Sequence, residues 1–166
     1  MTYSIVYSSR TGNTAKLAEA LRDALPTADC AYFGAPNAAA LAADRLYIGF
    51  WTDKGSCDAA TADFLATLTS QEVFLFGTCG FGESAEYFDR ILTNVAAKLP
   101  DSVRALDGFV CQGKMPQSVR DRYAHIAAED PAKAPQMKKM IANFDRALTH
   151  PDAEDVRRLV ERVTAL

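Results

Sequence analysis

The chain has little of what metal sites, disulfide frameworks and membrane spans are made from. Its 166 residues hold four cysteines, Cys30, Cys57, Cys79 and Cys111, so widely spaced that no CxxC pair arises. There are two histidines, His125 and His150. That argues against a zinc site of clustered Cys and His, and no metal is expected. No apolar run approaches the roughly 18 residues a membrane span needs. The opening Met-Thr-Tyr-Ser-Ile-Val-Tyr lacks a basic stretch ahead of an apolar one, so no secretory leader is expected and the reducing cytoplasm is the expected location. Positive charge is not in excess either: the formal net charge is −3, which disfavours nucleic acid as the main partner. Two phosphate signatures are also missing, GxxxxGK[ST] and GxGxxG, so neither a triphosphate loop nor a dinucleotide fingerprint is present.

What is there alternates between two periodicities. Tyr3–Ser8, Ala28–Phe33, Arg45–Phe50, Glu72–Gly77 and Ala105–Cys111 are short runs with β-branched or aromatic residues, suited to strands buried on both faces. Between them Ala15–Leu25, Ala59–Leu68 and Ala85–Leu99 read as helices; in the first, Leu17, Ala18, Leu21, Ala24 and Leu25 share a face. Pro26 and Pro100 stop the first and third. The alternation predicts parallel βαβ units in a three-layer α/β sandwich, with residues 1–166 as one domain. After Cys111 the chain turns helical, at Pro116–Glu129, Pro135–Leu148 and Asp152–Val163. This extension, about 116–166, is expected to cover the last strand with one helix and to leave the rest as additional C-terminal helices.

Ligands of such sheets bind beyond the carboxyl ends of the strands, where strand order reverses. Three loops fall there. Ser8-Ser9-Arg10-Thr11-Gly12-Asn13-Thr14 crowds hydroxyls and an amide around one glycine, just ahead of a helix. Unpaired N–H groups at a helix start and hydroxyl donors suit a single terminal phosphate. Gly49 to Asp58 carries the chain's only tryptophan, Trp51, placed to serve as a stacking platform. Gly77-Thr78-Cys79-Gly80-Phe81-Gly82-Glu83-Ser84 holds three glycines, which implies unusual backbone angles or a close approach to something. Cys57 and Cys79 lie in the latter two loops and are expected to be buried, reduced thiols. Lys114 and Met115 close the fifth strand near the same face. His125 and His150 are expected on helices away from these loops, and no catalytic residue is assigned.

Ser9-Arg10-Thr11-Gly12-Asn13-Thr14 matches [TS]-x-T-G-x-T, the phosphate-loop pattern of flavodoxins. By order of elements the chain resembles the flavodoxin family over roughly residues 2–149. The resemblance implies a flavodoxin-like five-stranded parallel sheet of order 2-1-3-4-5, with FMN at the switch point between strands one and three; flavodoxins are a standing illustration of that rule. It implies that Ser9, Arg10, Thr11, Gly12, Asn13 and Thr14 hold the FMN phosphate. Trp51, Thr52, Asp53, Lys54 and Gly55 would flank the isoalloxazine on one side, and Thr78, Cys79, Gly80, Phe81 and Gly82 on the other, with Trp51 and Phe81 as aromatic neighbours. The Lys54-Gly55 peptide would be able to reorient toward the flavin.

The stretches IGFWTDKGSCD, FGTCGFG and CQGKMP are similar to the BilS group of small flavodoxin-like proteins associated with bacterial bilirubin reductase. That likeness implies an FMN-binding electron-transfer flavoprotein serving a redox partner protein, such as a bilirubin reductase acting on a tetrapyrrole. Two alternatives stay open on the same residues: a flavin-dependent NAD(P)H quinone or bilin reductase acting on substrate directly, and a flavin-free accessory binding protein. Two departures from the family pattern stand out. A net charge of −3 is modest beside strongly acidic flavodoxins, and the helical C-terminal region is longer than a short flavodoxin requires.

Overall fold

The computed structural model describes residues 1–82 and 84–166. In chain order it runs β1 (Tyr3–Tyr7), α1 (Asn13–Ala24), β2 (Cys30–Gly34), β3 (Arg45–Asp53), β4 (Ser56–Cys57), α2 (Ala59–Leu65), β5 (Glu72–Cys79), α3 (Ala85–Ala96), β6 (Arg104–Gln112), α4 (Gln117–Glu129), α5 (Ala134–Ala147) and α6 (Ala153–Thr164). Five strands pair in parallel in the order β2-β1-β3-β5-β6, and β4 pairs antiparallel with β3. Leaving the short β4 aside, this is the 2-1-3-4-5 order expected from the sequence.

Alternate residues of each strand enter one of two cores. Leu46, Ile48 and Phe50 face one side with Phe64 and Leu65 of α2 and with Ile91 and Val95 of α3. Tyr47, Phe74 and Phe76 face the other with Leu17, Ala18 and Leu21 of α1 and with Leu159 and Val163 of α6. Both faces are covered, so the strands need no polar side. Two glycines let the central pair interlock. Gly49 on β3 lies beside Phe76 on β5, and Gly77 on β5 lies beside Phe50 on β3. A Cβ at Gly49 would come within 2.5 Å of the Phe76 ring, and one at Gly77 would overlap the Phe50 ring.

The sequence leaves open which helix covers the last strand, and the structure answers this first: it is the final one, α6, on the α1 side of β6. The α4–α5 hairpin between β6 and α6 is the surplus among the expected C-terminal helices. Sequence periodicity marks each helix as amphipathic but does not name the surface it meets. Secondly, β3 does not stop at Phe50. It runs on through Trp51, Thr52 and Asp53, then reverses into β4. Lys54 and Gly55 make the reversal with φ of 51° and 79°. Positive φ at both central residues is the mark of a type I′ turn, whose twist matches that of paired strands.

Candidate functional site

The carboxyl ends of β1, β3, β5 and β6 open onto a cavity of about 390 Å³. Arg10, Thr11, Asn13, Trp51, Thr52, Thr78, Cys79 and Gly80 line it, all among the residues expected from sequence. Gly113, Lys114, Met115, Pro116, Ser118, Val119 and Arg122 complete the wall. Of these, sequence alone points to Lys114 and Met115 and not to the others. Pro116 was their signal: a helix start straight after a strand places its first turns at the carboxyl edge, and Ser118, Val119 and Arg122 share one side at helical spacing.

The first loop is arranged as a set of open donors. Ser9 Oγ accepts the Ala15 N–H at 3.2 Å, and Thr11 Oγ1 accepts from Asn13 Nδ2 at 3.1 Å. Each hydroxyl thus keeps its own proton free. Among the described residues nothing takes the backbone N–H groups of residues 9–14. Gly12, left-handed at φ 89°, caps α1 with open space over its Cα. Asn13 is buried and also donates to the Lys114 carbonyl at 2.8 Å, tying this loop to the segment after β6. Thr14 departs from expectation. Its hydroxyl lies inside the fold, donating to the Phe50 carbonyl and meeting Thr78 Oγ1, each at 3.1 Å.

The remaining candidates divide. Trp51 is half-buried on the cavity wall, with the Arg10 guanidinium 5.5 Å from its ring centre. Thr52, another wall residue, has a buried hydroxyl with no partner among the described residues. Asp53, Lys54 and Gly55 form the far end of the β3–β4 hairpin, away from the lining. Asn94 of α3 donates to the Gly55 carbonyl at 2.8 Å, so that carbonyl is already engaged. Phe81 and Gly82 also stand off the wall, and Glu83 lies outside the described residues. Gly77, Gly80 and Gly82 have no positive φ. The approach their sequence implied is internal: a Cβ at Gly80 would lie 2.6 Å from Met115 Sδ, and one at Gly82 would overlap the Gln112 amide. Asn143 of α5 fixes this turn, donating to the Gly80 carbonyl and accepting from Gln112 Nε2, both at 3.0 Å.

His150 lies between α5 and α6, not on a helix, and reaches a smaller hollow beside the first loop. Thr11, Gly12, Asn13, Lys16 and Lys114 share that hollow. Its Nδ1 meets Asp155 Oδ2 at 2.6 Å. Burial alone would raise the Asp155 carboxyl. Bonds from His150, the Asp152 N–H and Arg158 outweigh it and hold the group below the ordinary carboxylate range.

Cys79 is buried and its thiol is pushed up to about 12 by loss of solvent. Burial raises Cys57 and Cys111 as well. At pH 8 about one Cys79 in ten thousand is then thiolate. Native protein is expected to leave Cys57, Cys79 and Cys111 unmodified by iodoacetamide at pH 8, while unfolded protein reacts fully. Mass-spectrometric counting of adducts checks this, and rapid native labelling at Cys79 would contradict it. Because folding raises this thiol above its unfolded value near 9, its contribution to stability is complete below pH 9 and is lost as pH rises toward 12.

A parallel sheet with a donor-lined first loop and an aromatic-walled cavity at its switch point defines an α/β domain built for a phosphate-bearing planar ligand. The flavodoxin domain model matches residues 4–164, and the chain belongs to that family. It is 42% identical to the flavodoxin-like domain-containing protein BilS of Clostridium symbiosum (strain WAL-14163), over 94% of this chain and 90% of that one. Its fold is shared with oxidised flavodoxin 2 of Bacillus cereus, at a TM-score of 0.63 and 17% identity, covering 99% and 97% of the two chains. A Lactobacillus acidophilus NCFM flavoprotein in complex with FMN has a TM-score of 0.54 at 14% identity, over 66% of this chain and 92% of its own. Among the described residues no helix is long and apolar enough to cross a membrane.

FMN is the cofactor of this family, and the residues present fit it. Ser9 and Thr11 hold free hydroxyl protons beside unclaimed N–H groups, which suits one phosphate. The orphaned Thr52 hydroxyl and Trp51 offer a polar and an aromatic surface in the same cavity. The chain is an FMN-binding electron-transfer flavoprotein.

Proposed function

We propose that the chain, working as one FMN-binding unit from residue 1 to 166, hands electrons to a dedicated reductase in a system that reduces bilirubin or a related tetrapyrrole in the cytoplasm. The observation that carries this reading is the 42% identity with BilS over nearly the whole chain. Bound FMN supplies reversible gain and loss of electrons. This chain's own residues bind it, orient it and shield it. Ser9, Arg10, Thr11, Gly12, Asn13 and Thr14 form the phosphate loop, the first and third donating hydroxyl hydrogen bonds, Thr14 bracing the loop from beneath. Trp51 and Thr52 line one flank of the ring site, with the Asp53-Lys54-Gly55 turn beyond them, and Thr78, Cys79 and Gly80 line the other, with Phe81 and Gly82 beyond. Met115, just before α4, and Val119 on it add an apolar wall. No proton donor or nucleophile is assigned, because the buried thiols stay protonated.

Two measurements test this. The purified protein is expected to take up one FMN per chain, with Trp51 fluorescence quenched on binding and FAD bound far more weakly. Chemically reduced holoprotein is then mixed anaerobically with a bacterial bilirubin reductase and bilirubin. Loss of bilirubin absorbance that requires both proteins supports the proposal. A reductase that turns over equally well without this chain would sink it. Holoprotein that consumes NAD(P)H and bilirubin alone would favour the direct-reductase alternative.

A further inference from the structure

We infer that the rim of the cofactor cavity is a docking surface for an acidic face of the redox-partner protein. This rests on the electron-transfer reading above. Among the described residues the cavity wall carries Arg10, Lys114 and Arg122 and no carboxylate. All three are exposed. Among the described residues none has a carboxylate within ion-pair distance, whereas Arg45, Arg104, Arg120, Arg157, Arg158 and Arg162 all do. In a chain of net charge −3, these three cations stand together around one cavity with no neutralising carboxylate among its described lining residues.

The cofactor does not absorb them all. A phosphate monoester carries at most about two negative charges. Lys16, which shares the adjoining hollow with Thr11 and Gly12, makes a fourth cation near the loop. Lys114 moreover sits just ahead of the inserted hairpin and Arg122 on its first helix, not on the phosphate loop. A cavity near 390 Å³ is at the lower end of the range for one organic ligand. A further anion therefore meets the cations from outside, as carboxylates on a protein surface would. Such complementarity steers encounter and fixes orientation more than it adds affinity.

Reduced holoprotein, its bound flavin certified by the visible spectrum, is mixed with ferricyanide. Each ferricyanide takes one electron and becomes ferrocyanide, so two are consumed per fully reduced flavin. The rate constant is expected to fall about threefold or more between about 0.02 and about 0.3 M NaCl. With the cationic oxidant tris(phenanthroline)cobalt(III) the slope reverses. Lys114→Gln with Arg122→Gln, reloaded with FMN and compared per bound flavin, is expected to remove the ferricyanide dependence, and Lys114→Glu with Arg122→Glu to invert it. In a second arm, fluorescein-labelled poly-L-glutamate gains anisotropy with wild-type protein at low salt and not with the Gln double variant. A ferricyanide rate that rises with salt, as the net charge alone dictates, overturns the inference. So does glutarate that displaces the polymer carboxylate for carboxylate, since the cations would then serve a small organic anion. Protein that purifies colourless and takes up no FMN would instead strike the reading beneath it, and the polymer arm would still report on the rim.

Discussion

Thr11→Val is expected to raise the dissociation constant for FMN by about ten- to a hundredfold and to leave that for riboflavin unchanged. A hydrogen bond to a charged group contributes about 1.5–3 kcal/mol, and each 1.4 kcal/mol is about tenfold in affinity. Thr11 is exposed, and its oxygen already accepts from Asn13, so the hydroxyl proton has no other use in the protein. Val keeps the shape and removes that proton. The loop stays anchored, because Asn13 retains its 2.8 Å bond to the Lys114 carbonyl. Thr14→Val makes the contrast. Its hydroxyl serves the Phe50 carbonyl and Thr78, so its loss is expected to appear mainly as about 1–3 kcal/mol of stability. Fluorescence titration of both ligands separates the two cases. A Thr11→Val protein that loses FMN and riboflavin alike would mean a collapsed loop and would remove the phosphate assignment.

Phe50→Ala is expected to destabilise the fold by about 3–5 kcal/mol, the usual range for emptying a phenylalanine site in a core. The ring is fully buried, and it occupies the space that Gly77 leaves open on the neighbouring strand. Gly77→Ala forces a methyl into that ring and is expected to cost about 1–3 kcal/mol through overpacking. The two changes are expected to compensate in part, since the new methyl fills some of the cavity left by the lost ring. The double variant should then be less destabilised than the sum of the singles by at least about 0.5 kcal/mol. Urea denaturation of the four proteins measures the cycle. Strict additivity would show that the ring and the glycine do not share one space.

The electron-exit face also differs from the pattern of a strongly acidic carrier. The inserted α4–α5 hairpin supplies part of the cavity wall, brings Arg122 to its rim, and through Asn143 holds the turn after β5. One insertion thus supplies both wall and rim of the candidate cavity and braces the turn beside it.

Sequence alone determined the parts of this protein that are contiguous in the chain. Five apolar runs became the five parallel strands because strands buried on both faces need no partner-specific pattern. The candidate phosphate loop stands out because six neighbouring residues carry its chemistry, and Trp51 because it is the one tryptophan, near the carboxyl end of a buried strand. Tertiary structure decided everything that depends on distant residues meeting. Gly49 and Gly77 are ordinary glycines until Phe76 and Phe50 arrive from the adjacent strand. Thr14 belongs with the donors of its loop by spacing, yet Phe50 and Thr78, 36 and 64 residues away, draw its hydroxyl inward. The Lys54-Gly55 segment could have been a free loop, and its packing under Asn94 made it a hairpin end. The final helices are amphipathic in sequence, but amphipathicity does not say which surface a helix covers. Only the packed sheet showed that α6 closes the core while α4 lines the candidate cavity and α5 braces the turn beside it, because hydrophobic burial is non-directional and the choice of partner is made by the whole fold.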